Sequence, residues 1–223
     1  MEDLITKHTA IMDKYDPQKK IALVVDEWGG WYDVEPGTNQ GFLYQQNTMR
    51  DAMIAGVTLN IFNNHADRVR MANLAQTVNV LQAVILTHKE KIVLTPTYHV
   101  MEMYNVHQDA TLLPITVHSQ EYRAGADQLP AISASASRDS NGITHVSITN
   151  IDATITEEII IDLQGENCAT VSGRILTAPH LQDHNTFEDP EKIIPQIFKG
   201  ASLRNNRITL KIPPFSVIVL AVK

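Results

Sequence analysis

The stretch Lys20–Asp33, KIALVVDEWGGWYD, decides how the rest of the chain is read. Ile21 to Val25 form an apolar run without polar alternation, which suits a parallel strand buried on both faces. The run leads straight into Asp26 and Glu27, and then into the only two tryptophans, Trp28 and Trp31, separated by Gly29 and Gly30. Successive strand side chains point to opposite faces. Alternation therefore sends one of Asp26 and Glu27 to the open side and the other to a packed layer. A carboxylate at the C-terminal end of a parallel strand stands where α/β barrels carry catalytic groups, and indole surface beside it suits stacking. A plainer reading stays open: indoles pack, and strand-end acids cap the next helix.

Outward from this stretch, the first half alternates helices and strands. Leu4, His8, Ile11 and Tyr15 share a helical spacing, closed by Pro17, Lys19 and Lys20. A glycine- and proline-containing loop spans Gly29 to Gly41. Phe42, Met49, Ala52 and Met53 share a helix face, and Gly56 takes the stop position. Val57 to Phe62 (VTLNIF) reads as a second strand, and the following NNHAD offers N-cap residues. Leu74, Val78, Leu81 and Ile85 then mark a long amphipathic helix. TPTYHVMEMY starts one more helix, with Pro96 in its first turn.

From Leu112 the texture changes to short β-rich runs: LLPITVHS, HVSITN, EEIIIDL, TVSGRIL, RITLKI and FSVIVLAV. Ile159, Ile161 and Leu163 alternate with polar residues, as do Ile208, Leu210 and Ile212. This is the pattern of an antiparallel sandwich.

Composition bounds the function. The 223 residues, 43% hydrophobic and 19% charged, suffice for one large domain or two small ones with a real core. A net charge of −7 with no basic run excludes nucleic acid and anionic membranes as natural partners. Cys168 is the single cysteine, so no intrachain disulfide forms, and no signal-peptide pattern opens the chain. A cytoplasmic protein is expected.

Several separated blocks occur in a telling order: VVDEWGGWYD, NTMRDAMIAGVTLNIFNNHADRVRMANLAQTVNVLQAVILT, VLTPTYHVMEMYNVHQDATLLP, HNTFEDPEKIIP and PPFSVIVLAV. Together they resemble the C-terminal part of glycoside hydrolase family 51 α-L-arabinofuranosidases, over nearly the whole chain. The resemblance implies an α/β plus all-β fold. Residues 1–110 would supply the last two strand–helix units of a partial (β/α)8 TIM barrel, and residues 111–223 a C-terminal β-sandwich. It implies a retaining glycosidase whose nucleophile falls on Glu27, with Trp31 and Gln76 lining the sugar pocket. The expected partner is an arabinose-containing oligosaccharide or polysaccharide. No metal or organic cofactor is implied, because carboxylate chemistry suffices.

The chain departs from the family at the second carboxyl group. The family's acid/base glutamate follows a Gly-Asn pair on an earlier strand, and no Gly-Asn-Glu stretch occurs here. Glu166 and Asn167 stand in the reverse order, in the sandwich half. Asp33 and Glu35 lie on the loop beyond Trp31 and are poor substitutes. The chain alone is therefore expected to be inactive, and to pair with a missing N-terminal barrel half or to self-associate. A second class of reading is a non-catalytic assembly or weak carbohydrate-contact module. The sandwich half offers few aromatics for it, namely Tyr122, Phe187, Phe198 and Phe215. His180 and His184 read as loop residues and Cys168 as a small buried residue. His65 reads as lying on the catalytic side, beside capping residues, and Met101 and Met103 as core.

Overall fold

The computed structural model describes residues 1–165 and 168–223, so Glu166 and Asn167 lie outside the described residues. The first half runs α1 (Glu2–Tyr15), β1 (Leu23–Trp28), α2 (Met49–Asn64), β2 (Val69–Leu74), β3 (Ile85–His88), β4 (Lys91–Leu94) and α3 (Pro96–Met103). The second half begins with β5 (Thr111–Leu113), β6 (Glu121–Ala124), β7 (Asp127–Pro130), β8 (Ile132–Arg138) and β9 (Thr144–Asn150). It continues with β10 (Glu157–Asp162), β11 (Val171–Thr177), β12 (Gln196–Ile197), β13 (Ala201–Arg204), β14 (Arg207–Ile212) and β15 (Ser216–Val222).

β1 and β2 form a two-stranded parallel sheet. The sandwich sets a six-stranded sheet, ordered β12-β11-β15-β9-β8-β5, against a three-stranded one, ordered β10-β14-β13. All described sheets are open. The alternation expected of the sandwich strands is present: Ile208, Leu210 and Ile212 are fully buried between the sheets, with Ile148, Ile218 and Leu220. β15 is buried on both faces. Its Ile218, Leu220 and Val222 face the smaller sheet, while Val217 and Val219 join Met49, Ala52, Met53 and Val100 of α2 and α3. Two core clusters thus flank the large sheet, one against the helices and one against the smaller sheet.

A polar seam binds α2 to that sheet. Asn60 Nδ2 donates to Ser133 Oγ (3.3 Å), Asn63 Nδ2 to Ser135 Oγ (3.0 Å), and Ser135 Oγ to Asn60 Oδ1 (2.9 Å). Tyr104 completes it, donating to Asn60 Oδ1 at 3.0 Å. Asn60, Asn63, Ser133, Ser135 and Tyr104 thus satisfy one another across the joint, as burial demands.

Several expectations from the sequence are corrected. Val57–Phe62 is not a strand but the second half of α2, and Gly56 lies in mid-helix. A β-carbon on Gly56 would stand 2.5 Å from Thr149 Oγ1 and 3.1 Å from Val217 Cγ2, so glycine is there for close packing against β9 and β15 rather than to stop the helix. The asparagines of NNHAD close α2 instead of opening a helix, and Phe42 belongs to a separate short 3-10 turn. The second parallel strand is Val69–Leu74. Leu74 to Ile85 form no helix: the strand ends, a loop follows, and β3 begins. α1 and α3 lie where the spacing and Pro96 place them. α1, however, buries Ile5 and leaves Leu4, Ile11 and Tyr15 exposed.

Arg68, 1% exposed, fixes α1 and the entry to β1. Its guanidinium donates to Asp16 Oδ2 (2.7 Å), Ile21 O (2.9 Å) and Asp16 O (2.9 Å), and pairs with Asp13. The planar fork of arginine suits such convergent acceptors.

Candidate active site

The carboxyl end of β1 carries the candidate residues. Val25 pairs with Ala72 and Trp28 with Leu74, so Asp26 and Glu27 together oppose the single residue Asn73. This extra residue is a β-bulge, which re-aims side chains and breaks strict alternation. Leu23, Val25 and Trp28 pack on the core, whereas Val24, Asp26 and Glu27 are exposed. The expectation that one acid faces a packed layer is therefore corrected: the bulge turns both outward. Trp28, 5% exposed, packs edge-on against Phe62 with ring centroids 5.6 Å apart. Trp31, 66% exposed, stands free for contact. One indole thus follows the packing reading and the other does not.

Gln76 follows β2 directly. The Ala75 N–H donates to Trp28 O at 3.4 Å, which brings the residue after it to the same end of the sheet as Glu27. Gln76 is exposed, and the peptide bond between Ala75 and Gln76 is cis. A cavity of about 360 Å³ lined by Asn73, Leu74, Thr77, Val84, Tyr98 and Met101 opens beside this strand end.

The two glycines of DEWGGW have separate reasons. Gly29 has φ +136°, a conformation that side chains resist. Gly30 gives room to Tyr32, whose hydroxyl lies 2.6 Å from where a β-carbon on residue 30 would stand. Beyond it, the Tyr32 N–H donates to Gln45 Oε1 at 2.7 Å, and Gln82 Nε2 donates to Gly30 O. The Arg50 guanidinium sits 3.5 Å from the centroid of the Tyr32 ring, a cation–π geometry. Asn47 links the support, donating to Gln82 O (3.0 Å) and Thr97 Oγ1 (2.8 Å). Burial pushes the Asp51 carboxyl up, against its hydrogen bonds from Thr48 and Arg50 at the start of α2. Gln45, Asn47 and Gln82 were not singled out from the sequence. The available signal was a glutamine inside the otherwise apolar run Val80–Leu86.

Other candidates fall elsewhere. The Glu35 carboxylate accepts from Gln46 N–H at 3.1 Å and ties its own loop. His65 ends α2 and contacts Glu2 at 2.6 Å. It precedes β2, at the opposite end of the sheet from Glu27, which corrects its expected place on the catalytic side. His180 and His184 lie in a loop, with His180 N–H donating to Asp183 Oδ2 at 3.0 Å. Among the described residues no group of three or more histidine, cysteine or acidic side chains is placed to hold a metal.

Fold and site together define an α/β element with a strand-end carboxylate, packed on an antiparallel β-sandwich. The chain belongs to the α-L-arabinofuranosidase C-terminal domain family, whose model matches residues 26–216. It is 47% identical over 221 residues to a Bacteroides ovatus protein named intracellular exo-α-L-arabinofuranosidase, covering 99% of this chain and 43% of that protein. It superposes on the family 51 arabinofuranosidase of Xanthomonas axonopodis pv. citri with TM-score 0.98 and 49% identity, covering 100% of this chain and 45% of that one. A family 51 α-L-arabinofuranosidase of Bifidobacterium longum matches with TM-score 0.82 and 26% identity, covering 100% of this chain and 47% of that one. The chain thus spans less than half the length of the relatives it matches. Among the described residues no helix is long and apolar enough to cross a membrane.

Proposed function

We propose that this chain is the nucleophile-bearing C-terminal part of a retaining α-L-arabinofuranosidase that removes terminal arabinofuranosyl groups from plant polysaccharides or oligosaccharides. Residues 1–110 act as the last two strand–helix units of a (β/α)8 barrel and residues 111–223 as the β-sandwich. Glu27 attacks the anomeric carbon, and Trp31 and Gln76 line the arabinose pocket. The observation that carries this reading is the β-bulge that turns Glu27 to the open face at the carboxyl end of β1, beside an exposed indole and at the same sheet end as Gln76. The word intracellular in the names of several relatives supports a cytoplasmic place of action.

Retention needs two carboxyl groups about 5 Å apart, one attacking and one protonating the leaving oxygen. On this reading the second comes from an N-terminal barrel portion. Its loss removes a factor of about 10²–10⁴ in rate, and loss of the remaining pocket removes more. Support comes from the unpartnered apolar surface: Leu4, Ile11 and Tyr15 on α1, Val24 on β1 and Met71 on β2 are all exposed. An open two-stranded parallel pair with such a face calls for a cover. The sandwich aromatics do not favour a carbohydrate-contact module, since Phe198 is buried, and Phe187 and Phe215 are partly buried against core clusters.

Two tests follow. The purified chain alone is expected to release no nitrophenol from nitrophenyl α-L-arabinofuranoside. Turnover that disappears in Glu27→Ala would mean that the chain holds its own proton donor. By light scattering at micromolar concentration the chain is expected to self-associate through its exposed face, and a well-behaved monomer would refute this.

A further inference from the structure

We infer that Gln45 and Gln82 are positioning residues that clamp the backbone on both sides of Trp31 and so set the place of its indole in the sugar site. The inference rests on the proposed role of Trp31. The two peptide groups flanking Trp31 are each held by a buried side-chain amide from a different loop. Gln82, 3% exposed, donates to the carbonyl of Gly30, and Gln45, 1% exposed, accepts from the N–H of Tyr32. The two glutamines are joined to a common frame. Gln45 N–H donates to Leu81 O at 2.9 Å, and Asn47 Nδ2 holds Gln82 O at 3.0 Å. Arg50 adds a third grip by covering the Tyr32 ring. The indole itself is 66% exposed, so its own packing does little to fix it. Gly29 and Gly30 bring no side chain of their own to anchor the approach to Trp31, and glycine backbone is conformationally free. A stacking surface in such a segment must be ordered from outside, because freedom lost on binding weakens affinity.

The chain has only two tryptophans, so 5-fluorotryptophan labelling gives two fluorine NMR lines, assigned by Trp31→Phe. Gln45→Met and Gln82→Met keep side-chain shape and remove the hydrogen bonds. In each, the Trp31 line is expected to shift or broaden while the line of buried Trp28 stays, which also reports that the fold is intact. In Gln45→Met, exchange of the Tyr32 amide is expected to quicken about tenfold, the worth of one hydrogen bond. An unmoved Trp31 line in both variants, or equal movement of both lines, would overturn the clamp. In the complete enzyme, Gln82→Met is expected to raise KM for nitrophenyl α-L-arabinofuranoside about tenfold with kcat little changed. A wild-type KM alongside a displaced Trp31 line would overturn the positioning role. Full turnover by Glu27→Ala would instead defeat the functional reading and leave the spectroscopic clamp standing.

Discussion

Between pH 6.5 and about 4 the protein is expected to lose about 3 kcal/mol of folding stability through His107 alone. His107 sits where the helical half meets the sandwich. Its ring nitrogens are bonded to Ser137 Oγ at 2.7 Å and to Ser147 Oγ, and Tyr104 lies against the ring at 5.5 Å between centroids. Burial, and secondarily the neighbouring His145, push its pKa down from 6.5 to about 4. His145 in turn pairs with Asp139 at 3.1 Å. In this window the unfolded chain binds a proton that the folded chain refuses, so stability falls as the pH falls. The contribution is complete above pH 6.5 and gone below about 4. Urea denaturation across this range is expected to show the slope in the wild type and a flatter one in His107→Gln. A wild-type curve without slope from pH 6.5 downward would contradict the burial argument.

Gly56→Ala is expected to destabilise the protein by about 2 kcal/mol, although alanine is the better helix former by about 1 kcal/mol. The added methyl would stand 2.5 Å from Thr149 Oγ1 on β9 and 3.1 Å from Val217 Cγ2 on β15. Neither is the loose end of a long side chain. Tyr104 also donates to Gly56 O at 3.2 Å, so a shift of α2 would disturb the polar seam as well. The cost should shrink in a Thr149→Ala background, where the nearest obstacle is gone while the Val217 contact at 3.1 Å and helix propensity remain. That coupling distinguishes a clash from a simple loss of backbone freedom. Equal effects in both backgrounds, measured by denaturant midpoints, would refute it.

These two positions also explain what the sequence made legible. β10 and β14 announce themselves because their apolar residues face a core at period two, as with Ile208, Leu210 and Ile212, and β15 because its continuous apolar run is buried on both faces. β8 was invisible. Its ISASASR pattern alternates alanine toward the sandwich core with serine toward α2 and His107, and carries almost no apolar contrast. The second half of α2 was misread because Gly56 resembles a stop and Val57, Thr58 and Ile61 are β-branched. Burial on several sides of the helix overrides that propensity. At the site, alternation failed at the bulge, which pairing geometry sets and no local residue pattern marks. The proposed roles of Glu27, Trp31 and Gln76 rest on resemblance, whereas the contacts of Gln45 and Gln82 with the backbone beside Trp31 join distant loops.

The most direct test of the central claim joins this chain to the barrel portion of a family 51 relative and assays nitrophenyl α-L-arabinofuranoside, with Glu27→Ala beside the wild type. The account predicts turnover in the joined wild type, its loss in the variant, and an arabinosyl adduct on the Glu27 peptide by mass spectrometry. Turnover that survives Glu27→Ala, or an adduct on another carboxylate, would contradict it.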